Sequence, residues 1–207
     1  EKGTIDVEKN LHTMNSFSVM PTRDTIYNMS EGFYSSKLRV HNIYDKKLKD
    51  YSFNYLDNFA NDIHTEGGSS AIITESVDTQ TGKRLTDHDD TKLFVSTTSS
   101  TKHFSEGKEY PYQSDNLDKT LQRRKSRLKQ LDRGIKVQVQ VPGQTFIQAG
   151  DVVELNIGST SASTGDDLDK TLSGKHLVTT LRHQFSRGEE TKHTIYLETV
   201  KDSLEDE

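Results

Sequence analysis

Eight histidines carry the chain's most versatile chemistry: His12, His41, His64, His88, His103, His176, His183 and His193. A neutral imidazole ligates metals and moves protons near neutrality. A histidine metal site of His-x-His or His-Glu-x-x-His type needs its ligands at fixed spacings, and neither pattern occurs. His88 sits in Asp87-His88-Asp89-Asp90, where ligand types are plentiful. Adjacent side chains in a polar loop rarely converge on one ion, so a solvated loop is expected. Asp166-Asp167-Leu168-Asp169 resembles part of a calcium loop but lacks the glycine and terminal glutamate at loop spacing; a solvated loop is expected again. His176, His183 and His193 fall on neighbouring predicted strands, where a cluster is conceivable and packed or surface positions are the default.

Nucleophiles are scarcer. With no cysteine, thiol catalysis, disulfides and cysteine-zinc sites are excluded. No Gly-x-Ser-x-Gly elbow is present, and Gly67-Gly68 opens neither a P-loop nor a dinucleotide turn. Carboxylates pair only in acidic runs that read as exposed. The sequence thus assigns no catalytic, cofactor-binding or metal residue, and an enzyme is not expected. The remaining charged feature is basic. Lys119, Arg123, Arg124, Lys125, Arg127, Lys129 and Arg133 fall within one predicted helix. Phosphate contacts to nucleic acid or an acidic protein partner are possible uses. The leading expectation is an amphipathic helix on a sheet, its outer face solvated or paired across a subunit interface. Arg123, Arg124, Arg127 and Lys129 are the candidate interface residues.

That helix is predicted over 114–133. Ser114 or Asp115 caps it, Asp118 sits in its first turn, and Gly134 ends it. Leu117, Leu121, Leu128 and Leu131 form its apolar stripe. Beyond it the period changes to two. Ile135, Val137, Val139 and Val141 alternate with polar residues, as do Val153, Leu155 and Ile157, and then Leu177, Thr179, Leu181, His183 and Phe185. Ile195, Leu197 and Thr199 close the run. Pro142-Gly143, Ala149-Gly150-Asp151 and Arg187-Gly188-Glu189-Glu190 supply the turns. Successive short strands with tight turns predict an antiparallel barrel or sandwich.

Upstream, Phe17 and Val19 make a short strand ended by Pro21. The stretch 24–34 reads as a short helix or irregular, ending at Gly32. Residues 37–44 alternate, with Leu38, Val40 and Ile43 inward. Residues 49–55 set Tyr51, Phe53 and Tyr55 on one face, and the two runs predict a hairpin about the turn Asp45-Lys46-Lys47. One or two helical turns follow over 55–63. Gly67-Gly68-Ser69-Ser70 reads as flexible, 71–74 and 93–97 as strands, and 78–92 and 99–113 as loops. The expected class is mainly β with some α: a β-rich part over 1–112, the connecting helix over 113–134, a barrel module over 135–203 and an acidic tail over 204–207.

Leu, Ile, Val and Phe make up about 23% of the 207 residues, near the ~20% below which chains tend towards disorder. The net charge is only -5, so a folded protein with a thin core is expected, one that buries more surface against neighbours. No apolar run reaches transmembrane length and no signal peptide is visible. The first residue is Glu1, as in a fragment or processed product. Asn28-Met29-Ser30 fits a glycosylation sequon, a pattern that arises often by chance.

The order of motifs resembles the baseplate central hub protein of contractile-tailed, T4-like phages. The resemblance runs over about 15–60 and 113–203. It rests on Asn28-Met29-Ser30-Glu31-Gly32-Phe33-Tyr34-Ser35-Ser36-Lys37, Phe53-Asn54-Tyr55, Gln122-Arg123-Arg124, Val141-Pro142-Gly143 and Gly150-Asp151-Val152-Val153. It continues through Ser173-Gly174-Lys175-His176-Leu177-Val178-Thr179 and Leu197-Glu198-Thr199-Val200-Lys201-Asp202-Ser203. Residues 61–112 match nothing in the family. The resemblance implies an antiparallel β-barrel of tail-tube type and a structural role without catalysis or cofactor. It implies a homotrimeric ring, pseudo-sixfold through two barrels per subunit, joining the tail tube protein to the spike or tail lysozyme protein among other baseplate proteins. DNA would be passing cargo. The place would be the virion, after assembly in the host cytoplasm, with no membrane insertion. It also implies that the chain is a C-terminal fragment of a longer hub. Two rival readings are a receptor- or glycan-binding β-domain at a tail tip and a virion-associated cell-wall hydrolase. The first needs an exposed aromatic cluster, the second a paired-carboxylate or metal cleft.

Overall fold

Strand-forming patterns dominate the chain, and the computed structural model is mainly β. It describes residues 12–20, 24–43, 46–66, 69–73, 77–98, 103–105, 108–110, 118–159, 168–188 and 191–205. In chain order these form β1 (Ser16–Met20), α1 (Thr25–Ser30), β2 (Ser35–Asn42), β3 (Lys47–Asn54), α2 (Tyr55–Phe59), β4 (Ser69–Ala71), β5 (Leu93–Thr98), β6 (His103–Ser105) and β7 (Lys108–Tyr110). Then follow α3 (Arg124–Arg133), β8 (Ile135–Pro142), β9 (Val152–Leu155), β10 (Gly174–Arg187), β11 (Thr191–Lys201) and β12 (Ser203–Glu205). Two compact units result. One joins Glu1–Arg23, Ile63–Ile72 and Arg133–Glu207; the other joins Asp24–Asp62 and Ile73–Asp132. The first thus recruits β1 and the 63–72 segment to the C-terminal strands, a long-range grouping that local patterning does not reveal.

In the first unit the strands order β1-β8-β11-β10-β9, an open antiparallel sheet curled into a half-barrel. β8 buries Ile135, Val137, Val139 and Val141 and half-exposes the residues between them, as its alternation predicts. Directly opposite residues share a face, so Ile195, Leu197 and Thr199 of β11 join that core through their pairings with Val141, Val139 and Val137. Leu155 and Ile157 complete it. β10 departs from its predicted phase. His176 and Val178 are the buried pair, not Leu177 and Thr179. A β-bulge between Val178 and Thr180 is the cause. An extra residue reverses the facing of everything beyond it, so Leu181 then pairs with Leu197 and His183 with Ile195. The predicted acidic tail is in part structured, with β12 pairing β4 from Ser203↔Ala71 to Glu205↔Ser69. Strand 71–74 is therefore shifted to Ser69–Ala71, while Gly67 and Gly68 lie outside the described residues.

In the second unit β2 and β3 form the predicted hairpin, in register Leu38↔Tyr51 and Ser36↔Phe53, and β5 adds parallel to β2. A parallel neighbour requires a crossover, which residues 55–92 supply. Asp24 caps α1 by accepting from the Tyr27 amide at 2.9 Å. Asn54 caps α2 by accepting from the Leu56 amide at 3.1 Å. Phe33, Tyr34, Tyr55 and Phe59 pack as a chain of rings 4.8–5.6 Å apart. Ile43 is exposed, not inward, because it falls out of phase with Leu38 and Val40 and lies just past the strand's end at Asn42. The predicted loop 78–92 holds two short 3-10 turns, Leu85–Asp87 and Asp89–Thr91, with Thr86 buried. The predicted loop 99–113 contains the hairpin of β6 and β7.

The helix also differs from its prediction. Asp118–Arg123 is a π-helical turn, and regular α-helix begins only at Arg124. The predicted cap and Leu117 lie outside the described residues. Leu128 is 66% exposed, whereas Gln122, Ser126 and Gln130 are each 2% exposed. These three recur every fourth residue on one face. The leucine stripe assumed an uninterrupted 3.6-residue period, which the wider π-turn breaks. Asn28 of the sequon is 2% exposed, which withholds it from glycosylation in the folded chain.

Candidate functional site

The core face of the first unit's sheet is apolar at one end and polar at the other. Lys201 shares that face, paired across from Ile135, yet its side chain is 0% exposed. Its ammonium lies 3.6 Å from Glu66 Oε1 and donates to the Ser173 carbonyl. Glu66 Oε1 also accepts from the Lys175 amide. Gly174 leaves room for this: a Cβ there would lie 2.2 Å from Glu66 Oε1 and 2.8 Å from Lys201 Nζ. Asp202 accepts from the Thr65 amide at 2.9 Å and the Thr65 hydroxyl at 2.8 Å, and meets His64 Nδ1 at 2.9 Å. The Ser203 hydroxyl accepts from the Glu66 amide at 3.3 Å and donates to Asp202 Oδ1 at 3.4 Å. Lys201-Asp202-Ser203 thus grips His64-Thr65-Glu66 through buried polar contacts. The Ser203 hydroxyl bonds the carboxylate, not the imidazole, so these three residue types do not line up as a serine-histidine-aspartate relay. They form a clasp that holds chain to chain.

His176 lies beside this clasp and is wholly buried. Its Nε2 donates to the Leu172 carbonyl at 2.9 Å, and Nδ1 meets the Thr199 hydroxyl at 3.3 Å. Burial above all, with the nearby Lys201 charge, pushes its pKa down to about 4 against the opposing pulls of the Leu172 carbonyl and Glu66. The ring is therefore neutral at pH 7. Of the other predicted strand histidines, His183 and His193 do meet, Nδ1 to Nε2 at 2.9 Å, and Phe185 stacks on His193 at 4.2 Å. Among the described residues no three metal-ligating side chains converge.

At the apolar end the sheet opens into a cleft of about 750 Å³. Val139, Val141, Leu155 and Leu197 floor it, Phe146 and Met14 flank it, and all four residues of β9 line it. Gln144, 7% exposed, belongs to the wall, and its Oε1 is buried without a hydrogen-bond partner among the described residues. Gly143 sets this wall against β11. Its amide donates to the His193 carbonyl at 2.9 Å, and a Cβ there would lie 2.1 Å from His193 Cγ. Gly143→Ala is expected to cost about 1–3 kcal/mol through forced displacement. It should also part His183 from His193, read as a change in their ring-proton NMR shifts alongside a lower melting temperature.

In the second unit the acidic run is pinned down, not merely solvated. Asp87 accepts from Arg84 and from Asn54 Nδ2 at 3.1 Å, and Asp89 accepts from the Ser52 hydroxyl at 3.1 Å. Lys37 pairs with Asp89 and Asp90. The Arg84 hydrogen bond holds Asp87 below the usual carboxylate range, and the Lys37 bond does the same for Asp90. The basic helix is partly committed within its own unit as well. Arg123 bonds Asp62 Oδ1 and the Asn61 carbonyl, both at 2.7 Å. Lys129 donates to the Glu31 carbonyl and lies over the Phe94 ring at 5.5 Å; its burial lowers its pKa. Arg127 is half-buried and donates to Gln130 at 3.0 Å, while Arg124 is exposed. Gln122 donates to the Ser36 carbonyl at 2.9 Å.

Neither the clasp nor the cleft was singled out by residue-type reasoning on the sequence. The clasp's sequence signal was the Lys-Asp-Ser end. A comparison with protein-family models finds no match, and a search of curated proteins finds none either. Among the described residues no helix is long and apolar enough to cross a membrane.

Proposed function

We propose that the chain is a structural subunit of a phage tail baseplate hub. In this reading its first unit belongs to a tail-tube type barrel within a homotrimeric ring. That ring joins the tail tube to the spike in the virion and lets DNA pass. The observation that carries the reading is the unfinished sheet. β1 ends it with its outer edge unpaired among the described residues, and Phe17 and Val19 extend the core face there, 47% and 49% exposed. An unpaired edge carrying apolar side chains is a liability that a neighbouring subunit removes. The motifs of the resemblance also sit where the fold is most constrained. Lys201-Asp202-Ser203 is the buried clasp, Phe33, Tyr34 and Tyr55 are core rings, and Gln122 is the buried anchor of its helix. Exposed Arg124 remains available for a subunit contact.

Sedimentation of the chain at micromolar concentration, alone and mixed with the spike protein of the same particle, tests this. A trimer that binds the spike is expected. A monomer at every concentration that also ignores the spike would refute it.

A further inference from the structure

We propose that the cleft of the first unit is a docking site for an extended, basic and apolar segment of a partner protein, which adds as a strand along β9. Three observations carry this, and none depends on the hub reading. First, β9 is the last strand of the sheet, and its outer edge is unpaired among the described residues. Alternate residues of an antiparallel strand turn their N–H and C=O groups away from the paired side. β9 therefore offers a template for one more strand, and β-augmentation is the recognition mode that uses such an edge. Second, the cleft beside that edge has an apolar floor of Val139, Val141, Leu155 and Leu197 and a volume of about 750 Å³. That lies within the ~300–1,000 Å³ range of binding clefts. Gln144 belongs to the cleft's lining, and the side-chain oxygen of Gln144 is buried with no donor among the described residues. A buried acceptor left unmet is costly, and a turn of the Gln144 side chain towards the cleft on binding would let a backbone N–H of the incoming strand meet it. Third, the described lining carries Asp151 and Glu154, both exposed, with His12 as its basic member, while Lys175 stands across from Glu154 on the neighbouring strand and leaves Asp151 as the acidic group without a cross-strand cation. A segment bearing lysine or arginine beside its apolar residues complements that charge.

Recognition here rests on backbone edge, apolar floor and acidic rim, so a generic peptide with those features suffices as a probe. The test titrates the full chain with acetyl-Lys-Val-Thr-Val-Lys-Val-Thr-amide and follows amide exchange by NMR. Saturable binding is expected, with new protection in Val152–Leu155. Replacing both probe lysines with glutamate should weaken it, and Gln144→Leu should weaken it about tenfold. No protection at millimolar probe would overturn the proposal. So would equal binding of the acidic probe, or binding indifferent to both Gln144→Leu and Val152→Asp. β9 amides that are protected without probe and lose protection on dilution would assign the cleft to a second copy. Protection at every concentration without probe would assign it to the chain's own residues. Either result also overturns the partner reading.

Discussion

Lys201→Met is expected to lower stability by about 3–5 kcal/mol, the cost of stranding one member of a buried ion pair. Methionine keeps most of the apolar stem and deletes the ammonium, so packing changes little while the charge balance changes fully. Glu66, 6% exposed, would keep the Lys175 amide as a donor but lose its cation. The Ser173 carbonyl would lose its donor as well. In a chain of this length the melting temperature should fall by roughly 6–20 °C. Adding Glu66→Gln should recover much of the loss, because a buried pair replaced by neutral groups is often near neutral in energy. The non-additivity of the two substitutions measures their coupling directly. A single Lys201→Met variant melting within a degree or two of the parent would mean that the clasp does not hold the 64–66 segment.

The clasp also marks what pattern reading could and could not reach. Alternation located β8, β9 and β11 because each buries one face and leaves the other wet, the condition under which a period of two is visible. At the end of β11 that condition fails. Thr199, Val200, Lys201, Asp202 and Ser203 are all buried, since the 63–72 segment covers strand residues that would otherwise face water. A lysine there looks like an exposed residue until its partner, 135 positions away in sequence, is known. The Lys-Asp-Ser run was visible as a motif, but its role as an anchor was not, because nothing local distinguishes a buried lysine from a solvated one.

The second unit shows the same limit with polar groups. Leu38 and Val40 were legible as core, and Tyr51, Phe53 and Tyr55 as one face of a hairpin. The buried face of the π-turn and α3 was not, since Gln122 of the turn and Ser126 and Gln130 of α3 are polar and Leu128 points outward. Gln122 earns its place by donating to Ser36, a contact that hydrophobic periodicity cannot register. The acidic run 87–90 read as solvated for a related reason. Its partners, Arg84, Asn54, Ser52 and Lys37, lie mostly on strands far away in sequence.

A fall in pH from 6.5 to 4 is expected to remove about 3 kcal/mol of stability through His176 alone. The sign follows from proton counting. The unfolded histidine titrates near its ordinary 6.5, whereas burial holds the folded one at about 4. Between those values the unfolded chain binds a proton that the folded chain refuses, so acid favours unfolding. The contribution is complete above pH 6.5, declines with a slope of up to ~1.4 kcal/mol per pH unit, and is gone below pH 4. Lys201 opposes protonation of the ring and Glu66 favours it, so both are part of the same balance. Charged Asp87, Asp90 and Glu31, each held below its usual range by a basic partner, begin to lose their contributions as pH falls towards the ordinary values of 3.8 for Asp and 4.5 for Glu. The interval from pH 6.5 to about 5 is therefore where His176 is read with least carboxylate titration. Urea unfolding at half-unit pH steps, on the parent and on His176→Gln, reads the effect as the difference between two slopes. Glutamine can still donate to the Leu172 carbonyl but cannot take up a proton, so the variant should be less stable at pH 7 and flatter towards acid. Parallel curves for the two proteins would show that the ring at 176 is not the group that titrates.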